Sequence, residues 1–350
     1  MGITMTDIAQ KAGTSVAAVS VTLNGAKSKT LGVSPDARDR IVRAAEELGY
    51  RRNPLAGGLA TGRTQVLGLM LPSLEAYAEH DPFYSVLANG VTGTASTQGY
   101  NVMLYTATAE DQGDRAARMI DKRIDGLILV SPPEGSPIYE ECERQGIAVV
   151  TIFGDKEDKG LTVQSDDYEG GRIGTQHLLD QGHIRIAHLE GKPQVATSLP
   201  RKEGFLDAMH AKGLASEATC MPGDFDRKVS YESTRQLMNL PATERPTAIL
   251  AANDLSAHGA IDAIHDAGLK VPEDVTVIGY DDTWYATVVR PTLTSVRMDV
   301  HEIGRRAAEI LISTLDGKPV ANRHPILPVS LVVRESSGPV SPAPGSPHLH

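Results

Sequence analysis

Cysteine is nearly missing from this 350-residue chain: only Cys142 and Cys220 occur, far apart and outside any CxxC spacing. That excludes a disulfide framework and argues against a zinc ribbon. Aromatic residues make up only 4%, with four Phe and one Trp, so each position carries information. No apolar run reaches membrane-spanning length, and the N-terminus lacks the apolar core of a signal peptide. Cytoplasmic placement, with no membrane partner, no metal and no cofactor, is therefore expected. Positive charge is also short, at 34 Lys and Arg against 44 Asp and Glu, for a net charge of −10.

That deficit is uneven. Residues 1–63 hold nine basic against five acidic side chains, a balance of +4, whereas the other 287 residues stand at −14. A basic end can approach phosphates while an acidic body stays off them. Within that end, Thr4 can cap a first helix, Asp7 favours the positive end of its dipole, and Gly13 suits a left-handed stop. Ser15 can cap a second helix over Val16–Leu23, and Ser34-Pro35 starts a third. Ile8, Ala12, Val19, Leu23, Ile41, Ala44, Ala45 and Leu48 supply a small shared core. The pattern predicts a helix-turn-helix that presents Val16, Ala17, Ser20 and Val21 to the major groove, the apolar members facing thymine methyl groups. A three-helix unit that binds protein is the alternative.

Next comes Asn53-Pro54-Leu55-Ala56-Gly57-Gly58-Leu59-Ala60-Thr61-Gly62. Asn53 can cap, Pro54 fits the first helical position and Gly62 can terminate. A helix this short does not recover its nucleation cost, and Gly57 and Gly58 each cost up to about 1 kcal/mol relative to alanine. The segment suits a hinge that folds only when something orders it. A Gly-rich linker is the plainer reading.

From Val66 onward, short apolar runs alternate with amphipathic segments. Strands are expected at 66–71, 101–106, 126–130, 148–153, 161–164, 184–189, 247–251 and 275–280, with helices such as 84–98, 170–181 and 255–267. Alternation implies parallel sheets covered by helices, and the strand count implies two α/β lobes. Ligands of such sheets bind beyond the carboxyl ends of the strands. The residues delivered there are Ser131, Phe153, Asp166, Asn253-Asp254 and Asp281-Asp282, with Asp166 and Asp254 expected to serve structure. Phe83, Phe153, Phe225 and Trp284 lie beside hydrogen-bonding groups, as an aromatic wall for a planar base or a sugar face would; Phe205 reads as core.

Thr4 to Gly25, together with Glu47-Leu48-Gly49-Tyr50, resembles the DNA-binding unit of the LacI/GalR family. Pro82-Phe83-Tyr84, Ile124–Ile128, Leu178–His183, Ala252-Asn253-Asp254, Gly279–Asp282 and Arg290–Val296 extend the resemblance to about Ser336. It implies an all-α, lambda-repressor-like helix-turn-helix followed by an α/β, two-lobed, type I periplasmic-binding-protein-like effector domain. The implied DNA contacts are Thr4, Ser15, Val16, Ala17, Ser20, Val21 and Asn24, then Asn53, Leu55, Ala56 and Leu59, the last matching a leucine that wedges into the minor groove. The implied effector contacts are Phe83, Tyr84, Ser131, Phe153, Arg201, Phe225, Asn253 and Asp281. Val21 stands where arginine is frequent in the family, Gly57 likewise, and Phe153 where some sugar-responsive members carry aspartate.

The resulting division is a DNA-binding unit over 1–62 with a hinge at 53–62, an effector and dimerisation domain over 63–337, and a disordered tail over 338–350. The first lobe is expected at about 63–162 and 293–324, the second at about 163–292 and 325–337. The function so implied is operator-specific repression by a homodimer or tetramer on pseudo-palindromic double-stranded DNA, controlled by a small effector. A saccharide is favoured over a nucleoside or purine. The rival is a cytosolic small-molecule-binding protein without a DNA role. An enzyme is disfavoured: Gly170-Gly171-Arg172-Ile173-Gly174 is not a dinucleotide fingerprint, and no Walker A, GxSxG or HExxH occurs.

Overall fold

The computed structural model describes residues 3–24, 32–50, 62–72, 82–105, 120–133, 135–154 and 160–340. Three helices open the chain: α1 (Met5–Ala12), α2 (Val16–Asn24) and α3 (Pro35–Glu47). Thr4 and Asp7 form a reciprocal capping box on α1, and Gly13 ends it at φ 59°. Ser15 Oγ accepts the Ala18 N–H at 3.1 Å, and Ser34 caps α3 with Pro35 in its first turn. Ile8, Ala12, Val19, Ile41, Ala44 and Ala45 are buried together, with Leu23 and Leu48 packed on them.

The body is two six-stranded sheets. The first carries β1 (Val66–Met70), β2 (Asn101–Tyr105), β3 (Gly126–Val130), β4 (Ala148–Ile152), β5 (Leu161–Ser165) and β11 (Ile326–Leu327), in the order β11-β5-β4-β3-β1-β2. The second carries β6 (Ile186–Glu190), β7 (Ala218–Pro222), β8 (Ala248–Ala251), β9 (Thr276–Asp281), β10 (Thr294–Met298) and β12 (Val329–Val332), in the order β12-β10-β9-β8-β6-β7. Every pairing is parallel except β10 with β12. Parallel strands buried on both faces read as continuous apolar runs, as Gly126-Leu127-Ile128-Leu129-Val130 does.

Helices cover both faces of each sheet. In the first lobe these include α4 (Pro82–Thr97), α5 (Ile138–Gln145) and α11 (Val300–Leu315). In the second they are α6 (Asp167–Asp180), α7 (Ser198–Ala211), α8 (Arg227–Met238) and α9 (Asp254–Asp266), with the short α10 (Tyr285–Val288) after β9. Three helix pairs touch backbone to backbone through glycine. A Cβ on Gly90 of α4 would strike the His301 carbonyl of α11, one on Gly204 of α7 the Tyr168 carbonyl of α6, and one on Gly259 of α9 the Arg227 carbonyl of α8.

Among the described residues the chain crosses between lobes three times, each time through a single residue. Asp166 joins β5 to α6, Asp299 joins β10 to α11, and Pro328 joins β11 to β12. Asp166 (φ −81°, ψ 73°) and Asp299 (φ −77°, ψ 81°) share one turn conformation, and each caps the helix that follows it. These crossings correct the expected lobe limits: β10 at 294–298 pairs with β9 in the second sheet, β5 continues to Ser165, and β11 at 326–327 pairs with β5 in the first. Residues 338–340, expected within the disordered tail, are instead bonded to the second lobe. Gly338 O accepts from Thr276 Oγ1 at 3.0 Å and lies 3.0 Å from His183 Nε2, and Val340 N–H donates to Gln181 O.

Candidate effector and DNA-binding sites

In the N-terminal unit the second helix turns Val16 and Ala17 outward, Val16 at 44% exposure, while Ala18 and Val19 face the core. Ser20 and Val21 are half-buried, Thr4 and Ser15 are exposed, and Asn24 closes α2. Val16 and Ala17 thus open α2 on its exposed side, and the half-buried Ser20 and Val21 follow one turn on. Asn53, Leu55, Ala56 and Leu59 of the expected hinge lie outside the described residues, as does most of the lysine-bearing 26–32 loop.

Six non-glycine residues with positive φ mark the carboxyl ends of the strands: Ser131 after β3, Phe153 after β4, Asp224 and Phe225 after β7, and Asp281 and Asp282 at the end of β9. Such backbone is costly for L-residues, of order 1 kcal/mol or more each, and clusters where side chains must be aimed. On the first lobe the rim is aromatic. Phe153 is buried, its ring 6.0 Å from that of Phe83, which meets Tyr84 edge-on at 5.1 Å. Ser131, half-buried, takes the Ile152 carbonyl with its backbone N–H.

The second-lobe rim is ionic and built around Arg201, 4% exposed on α7. Its Nε donates to Asp167 Oδ1 at 2.8 Å, and Nη1 donates to the Ala252 carbonyl and lies 3.8 Å from Asp281 Oδ1. The guanidinium lies flat over Tyr280, 3.7 Å from the ring centroid, and 5.7 Å from that of Phe225. Burial works against its charge, but Asp167, Tyr280 and Asp281 more than offset that and hold its pKa above the usual arginine range. Tyr280, buried on β9, donates to Asp167 at 3.3 Å; burial, then the neighbouring Asp167, lifts its pKa far above that of a free phenol.

Asn253 is the cap of α9: its Oδ1 accepts the Ser256 N–H at 2.8 Å, and Nδ2 donates to the Phe225 carbonyl at 3.4 Å. Asp254, expected to be structural, is so by another route, accepting from Ser295 Oγ at 2.6 Å and from the Thr283 N–H at 3.1 Å. Asp166 caps α6 as expected. Asp282 is bound by Arg297 and Arg334. Phe225 lies on Gly191, whose missing side chain leaves room for the ring. Trp284, by contrast, is 57% exposed and pairs edge-on with Tyr285 rather than with the rim aromatics.

Sequence reading missed Asp167 and Tyr280, which hold Arg201 in place. The one signal was Gly170-Gly171, set aside above as a failed nucleotide motif. A Cβ on Gly170 would collide with the Tyr280 hydroxyl, and one on Gly171 with the Arg201 carbonyl. The glycines make room for the clamp.

Residues 4–53 match the description "Bacterial regulatory proteins, lacI family", and residues 175–337 match a periplasmic binding protein-like domain. Catabolite control protein A of Priestia megaterium is 30% identical over 96% of this chain and all of its own. The ribose operon repressor of Escherichia coli K12 is 33% identical over 88% of this chain and 92% of its own. Among solved structures, the Lac repressor dimer bound to operator and the anti-inducer ONPF aligns with a TM-score of 0.82 at 26% identity, covering 96% of this chain and 99% of that one. The complex of the transcriptional regulator CelR with cellobiose aligns at 0.71 and 28%, covering 96% and 100%.

Proposed function

This chain belongs to the LacI family of bacterial regulatory proteins, and from that premise we propose that it represses transcription as a homodimer whose grip on operator DNA is set by a saccharide. The observation that carries the effector half is the rim pairing an aromatic wall, Phe83 with Phe153, with the polar set Arg201, Asn253 and Asp281. Sugar rings present apolar C–H faces and hydroxyl edges, which such walls suit. Relatives support the class: one is named a ribose operon repressor, and CelR is seen with cellobiose.

On DNA, Val16, Ala17, Ser20 and Val21 read base edges in the major groove, with Thr4, Ser15 and Asn24 on the phosphates. Asn53, Leu55, Ala56 and Leu59 form the hinge that enters the minor groove. Two copies read a pseudo-palindrome because one α2 reads only a half-site. A ligand preferring one arrangement of the lobes shifts the population of hinge states competent for DNA. Work on DNA places the protein in the cytoplasm; among the described residues, no helix is long and apolar enough to cross a membrane.

The test combines thermal-shift screening of the full chain against D-ribose, D-xylose, cellobiose and adenosine with fluorescence anisotropy on DNA from upstream of its own gene. A saccharide should raise the melting temperature and change operator affinity at least fivefold. Binding of adenosine alone would move the effector to the nucleoside class. A ligand that binds and leaves operator affinity unchanged would overturn the allosteric reading.

A further inference from the structure

We propose that the second-lobe rim is a charge filter: it admits an uncharged, hydroxyl-bearing ligand to Arg201 and turns away a phosphate or carboxylate group at that position. This rests on the effector reading above and narrows it to non-phosphorylated ligands.

Two observations carry it. The first is the count of buried charge. Among the described residues Arg201 is the only buried lysine or arginine, and it lies against two buried carboxylates, Asp167 at 2.8 Å and Asp281 at 3.8 Å. Within this trio one cation faces two carboxylates, a formal charge of −1. Asp254, next to Asn253 at the start of α9, is a further buried carboxylate of this lobe and accepts from the Thr283 N–H and the Ser295 hydroxyl. An anionic ligand would meet these carboxylates in a poorly screened setting, where like charges repel strongly.

The second observation is the guanidinium's geometry. Arginine recognises phosphate and carboxylate by two parallel N–H bonds, from either its Nε/Nη2 edge or its Nη1/Nη2 edge. Here Nε is given to Asp167, so the Nε/Nη2 edge has lost one of its two donors, and Nη1 already spends one of its two N–H groups on the Ala252 carbonyl and has Asp281 3.8 Å away. Tyr280 lies across one face of the plane at 3.7 Å. Nη2 alone stands outside these contacts, and it suits a single acceptor such as a hydroxyl or ether oxygen. Asp281, an acceptor only, complements it by accepting hydrogen bonds from hydroxyls. A hydroxyl both donates and accepts, and so satisfies both neighbours; a fully ionised phosphomonoester or carboxylate has no hydrogen to donate to Asp281.

The filter is tested on the full chain with acetate and with D-ribose 5-phosphate at pH 8, where both are fully ionised, titrated at constant ionic strength against chloride. The chains compared are the unmodified protein, Asp281→Asn, Asp167→Asn and, as a surface-charge control, Glu232→Gln, whose carboxylate pairs with Arg235 on the exposed side of α8. Circular dichroism verifies that each is folded, and saturable thermal shifts give the affinities. The unmodified chain and the control should show no saturable response below about 10 mM. Removing one carboxylate at the rim should raise affinity for either anion at least tenfold over the control in at least one of the two rim variants. Saturable binding of either anion by the unmodified chain, or rim variants that gain no more than Glu232→Gln, would overturn the proposal. These outcomes do not depend on whether a saccharide is found. Failure of the sugar screen therefore leaves the filter standing, and failure of the filter leaves the effector reading standing.

Discussion

At the residue scale the Arg201 clamp is a group of mutually dependent charges. Breaking a buried pair from one side strands the other charge, at a cost of about 3–5 kcal/mol. Arg201→Met should accordingly lower the melting temperature far more than Tyr280→Phe, which keeps the stacked ring and gives up one hydrogen bond worth about 1 kcal/mol. Differential scanning calorimetry of the two variants reads the contrast; equal losses would mean that the ion pair contributes nothing beyond packing. His188 offers a second test. It is stacked on Phe205 at 5.3 Å, its Nδ1 lies 2.9 Å from the Leu250 carbonyl, and burial pushes its pKa down to about 4. The unfolded chain takes up a proton on this ring near pH 6.5 while the folded chain stays neutral to about pH 4. Stability from His188 is thus complete above pH 6.5, lost as pH falls from there to 4, and flat below, with a total of about 3 kcal/mol. Urea titrations of His188→Leu should show a shallower decline over that window than those of the parent chain; parallel curves would rule the effect out.

At the element scale the glycine notches make opposite predictions for two neighbours on one helix. Gly90 of α4 faces the α11 backbone, so Gly90→Ala must push the helices apart and should cost about 1–3 kcal/mol. Gly93, one turn on, faces open space, and Gly93→Ala should stabilise by up to about 1 kcal/mol through helix propensity. Chemical denaturation of both variants checks the pair. Sequence reading located α1, α2 and α3 and the first five strands within a residue or two, because caps and apolar runs are local signals. It left out β7, β10, β11 and β12. Thr294-Ser295-Val296-Arg297-Met298 of β10 is only partly apolar, and β12 is half-exposed, so neither stands out as a buried run. The rim positions were legible because they follow directly from strand ends. Asp167 and Tyr280 were not, and Arg201 came only from the family resemblance: the three lie on different elements whose meeting depends on sheet order, which no local pattern encodes.

At the scale of the whole molecule, charge is divided between the two ends of the chain, +4 over residues 1–63 against −14 over the rest. Operator affinity should therefore fall steeply as salt rises, by tenfold or more between 50 and 200 mM, while effector affinity changes little. Anisotropy titrations on DNA and calorimetry on the effector would show the divergence; parallel slopes would count against phosphate contacts by the N-terminal unit. The C-terminal segment closes the second lobe, and ending the chain at Ser337 removes the bonds of Gly338 and Val340 to His183, Thr276 and Gln181. A loss of about 2–3 kcal/mol is expected, visible as a lower melting temperature.

The three one-residue links at Asp166, Asp299 and Pro328 also restrict how the lobes can move. One link would act as a ball joint and two as a swing. Three short links side by side resist stretching and twisting together and leave one compliant direction, as a door on three pins has. Structures with and without effector should then superpose lobe by lobe and differ by one rotation whose axis passes near those three residues, so that effector binding reaches the DNA-binding end as an angle rather than as a diffuse loosening.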